Sequence, residues 1–380
     1  MSKVDFNKLN NASIINVNRP DLITKQQRIR QQSIIQQTKH THTQLAVSGL
    51  MQELRYMIST TPEAPETLQE SLDSVQNLLH RELSYEDRIN AMTICVEANR
   101  PDILQALLRN TDLLEADRGN LVCGAASRGN IGIVRLLLAN ETISSEARND
   151  SMREAIEQHY PDILQLLLAG VEISEEERGI LLDSAVQEGE MGSVQILLGS
   201  GSISSDGRND AIREAIKRHY PDILQLLLAD AEISEEERGI LIGLSVREND
   251  INSVQILLES GSISSEDLVD AMQLTIVRNH PDILQLLLAD AEISKEDLGI
   301  LIDTAVRAND INSVRTLLGN RSISSENLVG AMELAIARNL PDTLQLLLVN
   351  AKLSKEDRQA LIALALEKGN SNVIQVLSKS

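Results

Sequence analysis

A repeat of thirty residues constrains this chain more than any other feature. Prolines recur every sixty residues, and each opens a similar apolar segment, PDILQLLL in three cases; they are Pro101, Pro161, Pro221, Pro281 and Pro341. A sister segment without proline, such as SVQILL, lies half-way between them, so the unit is thirty residues long. Ten units run from residue 83 to residue 380. A short unit cannot bury its apolar face alone, so tandem copies predict a solenoid of stacked units.

Composition indicates an aliphatic core and a reducing compartment. Hydrophobic residues make up 42% of the chain but aromatic residues only 1%, so Leu, Ile, Val and Ala must fill the layers. The two cysteines, Cys95 and Cys123, are too few for a disulfide framework. No apolar run reaches the roughly 18 residues of a membrane span, and the amino terminus lacks the pattern of a Sec signal peptide. We therefore expect no membrane association.

The charge is unevenly distributed along the chain. The net charge is −21, yet residues 1–45 carry seven Lys or Arg against two acids, a balance of +5, and residues 46–380 carry −26. Residues 46–380 are thus acidic enough to repel the phosphate backbone of DNA or RNA, which argues against nucleic acid as the ligand. The simplest role of the excess charge is to keep a long solenoid soluble.

Two segments precede the repeats. Residues 1–43 are polar and poor in acids, and we expect them to be disordered or weakly helical, with a possible helix in KQQRIRQQSIIQQ. Their composition resembles the uncleaved secretion signals of bacterial type III effectors, which implies secretion into a host cytosol by a non-Sec route. The alternative is an inert tail on a cytoplasmic protein. Residues 44–82 show helical periodicity interrupted by TTPEAPET, and we expect them to form a helical amino-terminal cap.

Each unit of the repeat predicts two helices. Position 1 is Leu83 or its equivalent thirty residues on, and position 2 is Ser in nine units, with an acid three residues later in most of them, as in a capping box. Position 13 is small in all ten units, which lets a partner helix approach closely. Position 17 is always Gly, Asn or His, the types that tolerate a left-handed backbone, so it should end the first helix. A second helix with an invariant Leu at position 25 follows.

One segment brings the chain close to a known family. AASRGNIGIVRLLLANETIS, from Ala125 to Ser144, resembles the ankyrin repeat in its Ala pair, its Gly-Asn turn and its Leu-Leu-Leu run. The units differ at the front, where ankyrin repeats of about 33 residues begin with Thr-Pro-Leu-His. We therefore expect an all-α, ankyrin-like solenoid of about ten helix-turn-helix units without the projecting β-finger. The resemblance also implies that the first helices line a concave groove for a partner protein.

No sequence motif indicates catalysis, a cofactor or a resident metal. The chain contains no Gly-rich phosphate loop, HExxH, GxSxG or CxxC. His159 and His219 occupy the helix-stop position, which favours a role in the turn, and Cys95 occupies the small position 13. His40 and His42 lack further ligands for a metal. We therefore expect no catalytic residues, no cofactor and no metal, and a chain that is not an enzyme.

The outward side of the first helices, at positions 8, 11, 12 and 15, is the candidate partner-binding site. It is charged in the early units, where it includes Arg153 and Arg213. It is apolar in the later units, through Ile240, Leu244, Leu274, Val277, Ile300, Leu334 and Leu364. If these apolar residues are exposed, they suit a docking surface. The alternative is that neighbouring helices cover them, so that they belong to the packing of the stack. We expect a scaffold that binds another protein; the alternative is a structural scaffold that forms a homodimer through the late apolar side.

Overall fold

The computed structural model describes residue 52 and residues 84–109, 111–139, 142–229, 231–289, 291–319 and 323–379. The predicted tail over 1–43 and, apart from residue 52, the predicted cap over 44–82 lie outside these ranges. Over the described part of the repeats every unit forms two helices and no strand. The predicted all-α solenoid of helix-turn-helix units is therefore confirmed, and no β-finger projects from this part of the chain.

Odd numbers denote the first helix of each unit and even numbers the second. The first helices are α1 Tyr85–Glu97, α3 Glu115–Ala126, α5 Ser145–Glu157, α7 Glu175–Gln187, α9 Ser205–Lys217, α11 Glu235–Arg247, α13 Ser265–Arg278, α15 Lys295–Ala308, α17 Ser325–Ala337 and α19 Lys355–Lys368. The second helices are α2 Pro101–Leu108, α4 Ile131–Leu138, α6 Pro161–Leu168, α8 Met191–Gly199, α10 Pro221–Leu228, α12 Ile251–Glu259, α14 Pro281–Ala289, α16 Ile311–Gly319, α18 Pro341–Asn350 and α20 Ser371–Lys379.

Local sequence signals set the ends of the helices. In nine units the Ser at position 2 is the N-cap, and its hydroxyl accepts a hydrogen bond from the amide three residues later, as Ser174 does from Glu177 at 3.1 Å. At position 17 all ten residues have a positive φ, between 50° and 73°. The predicted helix stop is confirmed, and His159 and His219 are turn residues.

The core is a column of aliphatic side chains between the first and second helices. The small residue at position 13 is fully buried in every unit, and so is the Leu at position 25 or nearly so, as at Leu227. Each first helix packs against the second helix of its own unit and against the first helices on either side, while the second helices pack in their own row. Every layer is thus completed by its neighbours, as a solenoid requires.

Glycines on the first helices also recur every sixty residues. Gly179 of α7 faces Gly207 of α9 so closely that a Cβ on Gly207 would lie 2.9 Å from the Gly179 Cα. Gly119, Gly239 and Gly299 occupy the same position in alternate units and face the first helix of the following unit in the same way. First helices therefore approach closely in pairs, and the pairs stack.

Buried arginines hold the loops that follow the second helices of some units. Arg238 is 7% exposed, and its Nε donates to Ser260 Oγ at 3.2 Å while its Nη1 donates to the Ser262 carbonyl at 2.8 Å. Arg178 makes the same contacts with Ser200 and Ser202 one pair of units earlier. The guanidinium thus fixes the loop that leads from its own unit into the next one.

Candidate partner-binding face

The outward side of the first helices follows from helix geometry. Residues of an α-helix are about 100° apart, so positions 4, 8, 11 and 15 lie together, roughly opposite the side formed by the buried positions 9, 10, 13 and 14. In α11, for example, Ile242 and Val246 are buried while Glu236 and Ile240 are exposed. We call the surface made by positions 4, 8, 11 and 15 of α1 to α19 the first-helix face.

The structure divides the predicted apolar residues into two groups. Ile240, Val277 and Ile300 are 53%, 66% and 49% exposed and lie on the first-helix face. The four leucines at position 12 are half-buried and pack against the core; they are Leu244, Leu274, Leu334 and Leu364. Position 12 lies about 40° beyond position 8, towards the neighbouring first helix, so that helix covers part of each leucine. The exposure that a docking surface requires is therefore found at Ile240, Val277 and Ile300, and the alternative of packing applies to the four leucines.

Ile180 belongs to the first-helix face and was missed by the sequence interpretation, which treated the early units as charged. It is 56% exposed and occupies position 8 of its unit, as do Ile240 and Ile300. The spacing of sixty residues was the available signal. We call Ile180, Ile240 and Ile300 the isoleucine row.

Aspartates alternate with the isoleucine row. Asp150, Asp210 and Asp270 occupy position 8 in the intervening units. Packed helices lie about 8–10 Å apart, so successive isoleucines are separated by about 16–20 Å, with one carboxylate between each pair. Position 8 therefore alternates between aspartate and isoleucine from Asp150 to Ile300.

The two predicted arginines are already paired within the protein. Arg153 binds Asp150 at 2.6 Å on the surface of α5. Arg213 binds Asp210 of its own helix at 3.3 Å and Glu237 of the next first helix at 2.6 Å. Arg213 thus links two units, and both side chains reduce the local negative charge before any partner arrives.

The middle of the stack nevertheless remains strongly acidic. Residues 143–292 contain 30 acids and ten Lys or Arg, whereas residues 293–380 contain ten of each. Burial, together with the nearby Glu214 and Asp210, raises the pKa of Asp183 on α7. An added positive charge would stabilise a carboxylate in such surroundings.

An open groove lies between α7 and α9 on this face. Its volume is about 490 Å³, and Ile180 lies in its wall beside the carboxylates of Glu176, Asp183 and Asp210. Gly179 and Gly207 also line this groove, and neither has a side chain to fill it. Its apolar wall and acidic rim suit an apolar side chain flanked by basic ones.

The side chains of Cys95, Tyr160 and Tyr220 pack within the protein. Cys95 is fully buried, and burial raises its pKa to about 12. Tyr160 and Tyr220 are half-buried and lie over the turn glycines Gly129 and Gly189. Within the described residues no three His, Cys, Asp or Glu side chains are placed to hold a metal ion. The same residues include no helix with the length and hydropathy to cross a bilayer.

The paired helices and their stacking define the chain, over its described residues, as a solenoid of helical-hairpin repeats. Neither a protein-family model nor a curated protein sequence matches it. The narrower assignment to the ankyrin family remains a prediction.

Among solved structures, the chain is similar to the crystal structure of the pentatricopeptide repeat protein PPR10 from maize, with 12% identity and a TM-score of 0.32. That match covers 85% of this chain and only 58% of PPR10. The chain is also similar to a circular tandem repeat protein with novel repeat topology and enhanced subunit contact surfaces, at 12% identity and a TM-score of 0.16, over 93% of this chain and 85% of that one. Both scores are low, so the class assignment depends on this chain's own helices.

Proposed function

We propose that the protein is a non-enzymatic scaffold that binds another protein along its first-helix face. The observation that carries this proposal is the isoleucine row, which keeps three large apolar side chains about half exposed at a regular spacing. Large side chains left exposed in register, within a polar surround, are typical of a binding surface. The acidic middle of the stack adds a preference for a basic partner.

The ankyrin-like reading supports the same face. In that family the first helices line the concave groove that grips partner proteins, and the close approach of Gly179 and Gly207 brings first helices together as the inner side of a curve requires. Delivery of the protein into a host cytosol is the finer part of the proposal. It rests on the composition of residues 1–43 and is tested by fusing them to a reporter enzyme and measuring type III export.

Self-association is the second candidate, because Val277 and Ile300 leave an apolar surface on the later first helices. A homodimer through this surface would make the protein a structural scaffold. Light scattering of the full chain over a range of concentrations separates the two candidates. A monomer at every concentration excludes the dimer, whereas a dimer that Val277→Glu dissociates supports it.

Exposed isoleucines allow the binding proposal to be tested without disturbing the core. We would compare the proteins retained by the immobilised full chain with those retained by an Ile180→Ser, Ile240→Ser, Ile300→Ser variant. The matched control is Val349→Ser with Ile131→Ser and Ile251→Ser, which removes three exposed apolar side chains from second helices. The proposal predicts a set of proteins lost only by the row variant. Equal retention by both variants, each with unchanged helicity, would refute it.

A further inference from the structure

We propose that the chain's own amino-terminal segment, residues 17–35, occupies the isoleucine row when no partner is bound. Val17, Ile23, Ile29 and Ile35 recur every six residues. The sequence predicts that this segment is disordered or weakly helical on its own, so it must become extended to dock. In an extended chain six residues span about 20 Å, and residues an even number apart lie on the same face. The isoleucine row repeats over about 16–20 Å, the separation of two helix layers. The segment and the row therefore share one spacing.

The polar residues between these apolar ones are complementary to the row. Lys25 lies between Ile23 and Ile29 on the same face of an extended segment, where the row carries Asp210 or Asp270. Arg28 and Arg30 lie on the opposite face of an extended segment and add only to its overall positive charge. Residues 1–45 carry +5, and the middle units, residues 143–292, carry −20. Opposite charges at this spacing favour one register over others.

The chain is long enough for this contact within one molecule. Ile35 and the predicted cap over residues 44–82 are separated by eight residues, which span about 30 Å when extended. The row begins with Ile180 in the fourth unit, three layers or about 24–30 Å from the first unit, so Ile35 can reach Ile180 and the segment then runs away from the cap. Tethering also keeps the segment at a high effective concentration, so a weak contact suffices. The docked segment would exclude a partner from the first-helix face until that partner displaced it.

Disulfide trapping in the full chain tests the register directly. In a Cys123→Ser background, Ile29→Cys is combined with Ile240→Cys, because these central residues meet whichever direction the segment runs. The first control pairs Ile29→Cys with Ile251→Cys, which is 40% exposed on the second helix of the same unit. The second control pairs Ile34→Cys with Ile240→Cys, since Ile34 faces away from the row in an extended segment. Buried Cys95 stays in place, because its thiol is inaccessible.

The proposal predicts that the central pair forms an intrachain disulfide about tenfold faster than either control, at a rate independent of protein concentration. Raising the salt concentration should narrow this difference, because salt screens the contacts of Lys25. Equal rates for the three pairs would overturn the proposal. So would disulfides that form only between chains and increase with concentration, because the row would then hold the segment of a second copy.

The inference rests on the first-helix face being a docking surface, but the two proposals fail separately. Equal trapping rates together with partner retention that still depends on the isoleucine row would leave the scaffold function standing. If the Ile29→Cys and Ile240→Cys pair forms its disulfide fastest but the row variant still retains every protein, only the intramolecular contact would stand.

Discussion

The close contact between α7 and α9 gives a prediction with a defined sign. Gly207→Ala would place a Cβ 2.9 Å from the Gly179 Cα, a backbone atom that cannot move aside as a side-chain tip can. Relief requires the two helices to separate by about half an ångström, and overpacking of this kind costs about 1–3 kcal/mol. Replacing Gly by Ala gains at most about 1 kcal/mol in a helix interior, and less in the first turn where Gly207 lies. We expect net destabilisation of about 1–2 kcal/mol.

Gly243→Ala is the matched control for this substitution. Gly243 lies inside α11, and a Cβ there would meet no atom within 4 Å. Only the helix propensity changes, so the variant should gain about 1 kcal/mol. The two Gly→Ala changes are thus expected to have opposite signs.

Urea unfolding followed by circular dichroism at 222 nm measures both effects. Long repeat arrays can unfold in parts, so hydrogen exchange of α7 and α9 should locate the loss in Gly207→Ala. A Gly207→Ala protein as stable as Gly243→Ala would refute the close approach of α7 and α9.

Three further predictions concern single side chains. Burial and the nearby Glu214 and Asp210 raise the pKa of Asp183, so ionisation of this carboxyl destabilises the native state. Asp183→Asn should therefore raise the free energy of unfolding at pH 7. This gain should vanish as the pH falls below about 4, the pKa of an Asp in the unfolded chain, because the carboxyl is then protonated in both states. Burial raises the pKa of Cys95 to about 12, so iodoacetamide at pH 8 should label this thiol only after unfolding, as peptide mass spectrometry would detect. His219 has a φ of 57°, a backbone conformation that Asn tolerates and a β-branched residue does not. In thermal unfolding His219→Asn should therefore change stability by less than about 0.5 kcal/mol, while His219→Val should cost about 1–3 kcal/mol. Equal effects of the two substitutions would contradict a turn role.

Within the candidate site, the sequence predicted the side of the helix better than the exposure of each residue. Ile240 and Ile300 are exposed as a docking surface requires, whereas Leu274 is half covered. Exposure at position 12 depends on where the neighbouring first helix lies, and that distance is set by contacts such as Gly179 with Gly207. Periodicity along one helix contains no information about its neighbour's position.

The sequence by itself determined the thirty-residue unit and its aliphatic core, which follow from the repeat and the composition. It also determined the Ser caps and the left-handed stop at position 17, because each depends on residues within one helix turn of each other. Only the tertiary structure decided that first helices approach in pairs, that Arg178 and Arg238 are buried against the loop that follows the second helix, and that Ile180, Ile240 and Ile300 are all exposed. These features depend on distances between helices, which are set by side-chain volume at helix contacts and not by local propensity.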